Sequence, residues 1–306
     1  MPDHSIEIPA LPGLQAAAAQ VRSSVLSVTA DDGSEFELLC VEPVTEWCRW
    51  LYWLPALGVS ARHYLPLAEA LAARGIAMVV HEWRGLGSSS LRASRRNDWA
   101  YRDLLMSDLP AALATVRQHW SQPECWLGGH SLGGQLAAIY ASLHPSEHAG
   151  LILVASGSPY WRQFRHGRAL AAAYVVVSLL TRALGYLPGR RIGFGGNEAR
   201  GLIVDWARTG CTGRYAAAGM SQDLEGKLAT LSLPVLALRL RDDWMVPSAS
   251  LSWLLDKMPL APRTMAEITP SDLDGRPAGH FDWMKTPNPI ADRLARWIVG
   301  QDLGGA

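Results

Sequence analysis

The stretch GGHSLGGQLAAIY, residues 128–140, sets a serine inside a Gly-X-Ser-X-Gly pentapeptide, Gly129-His130-Ser131-Leu132-Gly133. It follows the short apolar run CWLG and leads into an alanine-rich stretch of helical character. A sharp strand-to-helix turn of this kind strains the backbone of its central residue and projects the hydroxyl, while the flanking glycines let neighbouring segments close in. The helix beginning behind the serine supplies a positive dipole end and free N–H groups suited to a developing oxyanion. A glycine turn with a capping serine is the competing reading, and the pentapeptide alone does not separate the two.

A serine hydroxyl is a weak nucleophile at neutral pH and needs a base, with a further group to orient that base. RLRDDWMVP ends an apolar strand with two adjacent carboxylates, Asp242 and Asp243, and PAGHFDWM sets His280 in a glycine-containing loop after the last predicted strand. Such positions bring side chains to the carboxyl edge of a parallel sheet, where the sites of open α/β folds gather. Carboxylates at strand ends are common in turns, and the chain holds nine histidines, so each residue also has an ordinary structural reading.

The elements that must position these groups follow from alternation. SVLSVTADDGSEFELLCVEP, residues 24–43, predicts a hairpin around Asp-Asp-Gly. A buried strand is expected at 49–54, then a helix through YLPLAEALAARG, the strand IAMVVHEW, a helix over 101–120, the strand ECWLG, a helix from Leu132 and the strand GLILVAS at 150–156. Strands separated by helices favour a mostly parallel sheet covered on both faces, so the fold class is α/β. From 158 to 231 helical patterns replace the alternation, which resumes with LPVLALRLRDD, a helix over 248–258 and the strand RTMAEIT. The expected organisation is a core of 24–157 and 232–300, a helical insertion of 158–231, and an N-terminal extension of 1–23.

The chain has 306 residues, 49% hydrophobic and 18% charged, enough to bury a large core. Lys plus Arg equals Asp plus Glu at 28 each, so no global field favours nucleic acid. The start, MPDHSIEIPALPGLQ, has no basic leader with an apolar run, which predicts a cytoplasmic protein. Cys40, Cys48, Cys125 and Cys211 lack zinc-site or disulfide spacing and are read as buried reduced thiols. The apolar segment 169–191 approaches the length of a bilayer span, but Arg182 interrupts it and Gly185 and Pro188 close it, so a buried or lid helix is preferred, with interfacial docking left open.

The ordered motifs LPALG, EWRGLGSSS, GGHSLGG, DDWMVP and GHFDWM resemble the α/β-hydrolase superfamily from about residue 24 to 298, and within it bacterial serine-hydrolase-like proteins with a helical lid. The resemblance implies a nucleophile, acid and base in the order Ser131, Asp243, His280, with Asp242 as the alternative acid. It also implies an oxyanion hole made by the N–H groups of Leu132 and Leu57, although this chain has Pro55-Ala56 where many relatives carry His-Gly. The implied activity is cleavage of a carboxylic ester or related acyl compound, by an esterase, lipase or thioesterase-like serine hydrolase. An acyltransferase with the same triad is the alternative, and a non-catalytic binding protein on the same fold is the third reading.

No cofactor and no metal are expected; His81 and Glu82 lack a second pair of ligands and are read as loop residues. The expected partner is a small acyl substrate, apolar in character, with no nucleic acid. Trp161, Phe164, Tyr174, the three valines 175–177, Leu179, Leu180 and Tyr186 are expected to shape its pocket, with core packing the competing reading. Arg162, Arg165 and Arg168 are read as a solvated face that could also meet an anionic headgroup.

Overall fold

The computed structural model describes residues 20–300 apart from Pro123. The reading of the first fifteen residues as leaderless falls outside that range, as does most of the expected extension. The extension is also shorter than expected, because β1 (Val21–Thr29) already begins at Val21. It forms an antiparallel hairpin with β2 (Glu35–Pro43) across the Asp-Asp-Gly turn. β3 (Arg49–Leu54) and β4 (Ala77–Val80) flank α1 (Leu65–Ala72).

α2 (Tyr101–Asp103), a π turn over Leu104–Asp108 and α3 (Leu109–His119) run on as one helical segment. Then come β5 (Glu124–His130), α4 (Leu132–Leu143) and β6 (Gly150–Val154). The insertion contributes α5 (Gly167–Leu184), β7 (Tyr186–Pro188), α6 (Gly189–Ile192), β8 (Asn197–Ala199), α7 (Arg200–Thr212) and α8 (Leu224–Ala229). It is therefore not wholly helical, since β7 and β8 pair as a small antiparallel sheet. β9 (Val235–Leu240), α9 (Ser248–Leu255), β10 (Arg263–Ile268) and α10 (Asn288–Ile298) complete the core.

The main sheet has eight strands in the order β1-β2-β4-β3-β5-β6-β9-β10. Only the β1–β2 and β2–β4 pairings are antiparallel. The strands β3, β4, β5, β6 and β9 are apolar along most of their length because helices cover both faces, which removes the polar alternation of a half-exposed sheet. Trp50, Leu51, Tyr52, Trp53 and Leu54 of β3 are all buried, on alternate sides of the sheet. Each such side chain contributes about 1.5–3 kcal/mol of transfer free energy.

Cys40 and Cys125 are buried, but Cys48 is exposed and Cys211 is partly exposed, which corrects the expectation of four buried thiols; all four are free. Cys48 lies just before β3 and its residue is outside the packed strand.

Candidate active site

Ser131 sits between β5 and α4 with φ 55° and ψ −121°, a region that side-chain-bearing residues rarely occupy. Holding a residue there costs on the order of 1–3 kcal/mol and requires surroundings that over-determine it. The Ser131 N–H donates to the Val154 carbonyl of β6 at 3.1 Å, and its own carbonyl accepts the Ser156 hydroxyl at 2.9 Å. The Gly134 and Gln135 N–H groups close on the same carbonyl at 3.1 and 3.3 Å. Glycines make this packing feasible: a Cβ on Gly133 would overlap the carbonyls of Leu54 and Pro55, and one on Gly129 would overlap the Gly133 backbone.

His280 lies in the loop after β10, with Nδ1 at 2.7 Å from Oδ2 of Asp243 and both residues buried. The other oxygen of Asp243 accepts the N–H groups of Met245 and Val246 at 2.8 and 3.1 Å, which fixes the carboxylate. Its neighbour Asp242 is exposed and instead accepts the Ala278 N–H at 2.9 Å, tying β9 to the loop that carries His280. The His280 ring packs on His130, the residue before Ser131, with centroids 4.8 Å apart, so it stands beside the turn. Among the described residues its Nε2 has no hydrogen-bond partner.

The loop after β3 approaches from the other side. Pro55 has no N–H, and the Ala56 N–H is taken by the Tyr64 hydroxyl at 2.9 Å. Leu57 and Leu132 have amides that meet no acceptor among the described residues, and both line one cavity at the start of α4. Across residues 55–57, Leu57 is thus the donor left without an acceptor among the described residues. The cavity is small, about 10 Å³, room for one water, and its wall includes Trp83, Leu86, Trp99, Leu136 and Leu202.

Three residues not singled out for this site by the sequence complete it. Tyr64 shares a hydrogen bond of 2.8 Å with Nδ1 of His130, so one hydroxyl couples the loop of Leu57 to the turn of Ser131. Burial drives the His130 imidazole well below its ordinary pKa, assisted by the nearby His280, which keeps it neutral next to that ring. Glu198, from β8, is buried in the wall of the Leu57–Leu132 cavity and accepts the Gly196 N–H, at 2.7 Å. Burial pushes its carboxyl up to about 7. His130 stood inside the pentapeptide, but Tyr64 and Glu198 carried no local signal, being 66 and 67 positions from His130 and Ser131 respectively.

The EWRGLGSSS loop is structural in its contacts. His81 pairs with the Tyr52 hydroxyl at 2.8 Å, and burial lowers it to about 3. Glu82 turns away to the Ala61 N–H at 3.1 Å, and Trp83 donates to the Pro55 carbonyl at 2.9 Å. The expected acyl pocket in the insertion needs correction. Tyr174 is buried against Trp206 of α7, at 4.9 Å between ring centroids, and donates to the Pro159 carbonyl at 2.7 Å. That anchorage turns Val175, Val176, Leu179 and Leu180 outward to solvent. A groove of about 540 Å³ is instead lined by Trp161, Arg162, Phe164, Arg165, His166 and the first residues of α5, and contains neither Ser131 nor His280.

A family model described as serine aminopeptidase S33 matches residues 51–192, just under half of the chain. No curated protein matches the sequence. Among solved structures, the esterase domain of a Rhodothermus marinus protein superposes with a TM-score of 0.58 at 15% identity, covering 91% of this chain and 97% of that one. Est1E from Butyrivibrio proteoclasticus, solved with ferulic acid, gives 0.60 at 14% identity over 90% and 98%. The α/β hydrolase GrgF from Penicillium sp. sh18 gives 0.61 at 17% identity over 90% and 98%. The family match spans the elbow, and the fold shared along nine-tenths of the chain gives this protein the architecture of the α/β hydrolases.

Proposed function

We propose that the protein is a serine hydrolase that cleaves a carboxylic ester or related acyl compound through an acyl-enzyme. Nε2 of His280 takes the proton of Ser131 as Oγ attacks the acyl carbonyl, and the Leu57 and Leu132 N–H groups receive the resulting oxyanion. Collapse breaks the acyl–oxygen bond, and His280 returns the proton to the departing alcohol. Water, deprotonated by the same imidazole, then releases the acid from Ser131. Asp243 holds the ring in the tautomer that leaves Nε2 free to accept and steadies the imidazolium.

The observation that carries this reading is the buried His280–Asp243 pair at 2.7 Å beside a serine held at φ 55°. A binding module has no use for a strained serine flanked by an oriented imidazole. The apolar wall around Leu57 and Leu132 supports an acyl group of hydrocarbon character. A fluorophosphonate probe tests the nucleophile: the native protein is labelled and Ser131→Ala is not, whereas equal labelling of both defeats the assignment. A series of p-nitrophenyl esters then reads the acyl pocket, and turnover independent of chain length would count against an apolar one.

A further inference from the structure

The long helix of the insertion is buried on one side only. Its inner side chains, Tyr174 and Thr181, are fully packed toward the rest of the insertion, and α7 crosses against them. On the outer side the i, i+4 and i, i+3 spacing places Arg168, Ala172, Val176, Leu179 and Ala183 along one stripe. Val176 is 63% exposed and Leu179 59%, with Val175 beside them at 53%. Between Arg168 and Arg182 the helix carries no charge at all, an apolar length of about 20 Å at 1.5 Å per residue. A soluble helix with one packed face puts polar residues on the other, and this one does not.

The charge around the stripe says what covers it. The chain as a whole is neutral, yet between Glu147 and Glu198 there are six arginines and no acidic residue. Arg162, Arg165 and Arg168 gather at the start of α5 around the groove of about 540 Å³, with Trp161 and Phe164 among them. Arg182, Arg190 and Arg191 stand at the other end, where Ile192 is a further exposed apolar side chain. A second copy of the chain meeting this face about a two-fold axis would set arginines against arginines. A bilayer with anionic headgroups satisfies both parts, since its acyl boundary accepts the valine and leucine side chains while its phosphates meet the guanidinium groups at either end.

We infer that α5 is a membrane-docking helix: it lies in the plane of an anionic lipid surface, apolar stripe down, with arginines anchored in the headgroups at both ends. The anchorage of Tyr174 to Pro159 and Trp206 holds the inner face on the protein, so the helix rests on the bilayer rather than crossing it. The docking is independent of the serine chemistry, and Ser131→Ala should bind lipid as the native protein does.

Co-sedimentation with phosphatidylcholine vesicles, with and without phosphatidylglycerol, tests it. The native protein should pellet with the anionic vesicles, less so as salt is raised, and stay in solution with the neutral ones. Arg165→Gln and Arg168→Gln should each weaken binding about fivefold. Val176→Asp combined with Leu179→Asp should abolish it while the circular dichroism melt stays unchanged, because both side chains point to solvent. Failure of the native protein to pellet with anionic vesicles, or pelleting that survives the double aspartate variant, overturns the inference. So does a native dimer that the same double variant splits without any lipid binding, which would make a second copy the occupant.

Discussion

Asp242 and Asp243 are adjacent in sequence and opposite in surroundings, one exposed and bonded to a backbone N–H, the other buried against an imidazole. Asp243→Asn should lower esterase turnover by on the order of 10³–10⁴-fold, since an amide favours the wrong tautomer of His280, while Asp242→Asn should cost far less. Equal losses in steady-state kinetics would reassign the acid. Glu198 offers a second test at this scale. Its folded pKa, about 7, lies above the ordinary carboxyl value, so the stability it contributes is full below that ordinary value and is lost as pH rises through 7. Glu198→Gln should therefore be more stable than the native protein at pH 8, by up to about 3 kcal/mol, and the difference should close near pH 4, as denaturation across that range would show. Ser131 and the two downstream groups were legible because each sits in a short covalent context of glycines and strand ends. Tyr64, His130 and Glu198 act through contacts that only the folded chain creates, and no local pattern announces Tyr64 or Glu198.

Among the elements, alternation of apolar runs predicted the main strands, because parallel strands covered on both faces leave a strong signature. The three-residue strands β7 and β8 left no signal for the opposite reason, being too short for any period, and α10 follows the last of the ordered motifs. The orientation of α5 was also illegible: a wide apolar stripe fits a core helix and a surface-docking helix equally, and only the packing of Tyr174 decides which face turns inward. The turn itself is open to a direct test. Gly133→Ala should be damaging, because its Cβ would meet two backbone carbonyls that cannot rotate away. We expect a loss of about 1–3 kcal/mol with near-complete loss of fluorophosphonate labelling, read from chemical denaturation and the probe together. Tyr64→Phe should cost about 1–3 kcal/mol by stranding the Ala56 N–H and His130, and should slow acylation through the loop of Leu57.

At the scale of the molecule, one buried cation holds distant parts together. Arg84 makes two hydrogen bonds to Asp108 of the π turn, at 2.6 and 2.7 Å, and a third to Asp32 of the first hairpin at 2.6 Å. Removing one member of such a group leaves an uncompensated charge, so Arg84→Met should destabilise by about 3–5 kcal/mol, measured as the shift of the denaturation midpoint. The β7–β8 hairpin spans the molecule in a different sense. Its glycine-rich tip, residues 193–196, rests on the backbone of Gly58, next to the free amide of Leu57, and leaves there a space of about 10 Å³. On the proposed reading, an acyl group larger than that space requires the tip to move first, so turnover is expected to keep the tempo of a door rather than of a bond. Raising solvent viscosity should then slow kcat/KM for good and poor leaving groups alike, a dependence that rate-limiting acylation would not produce.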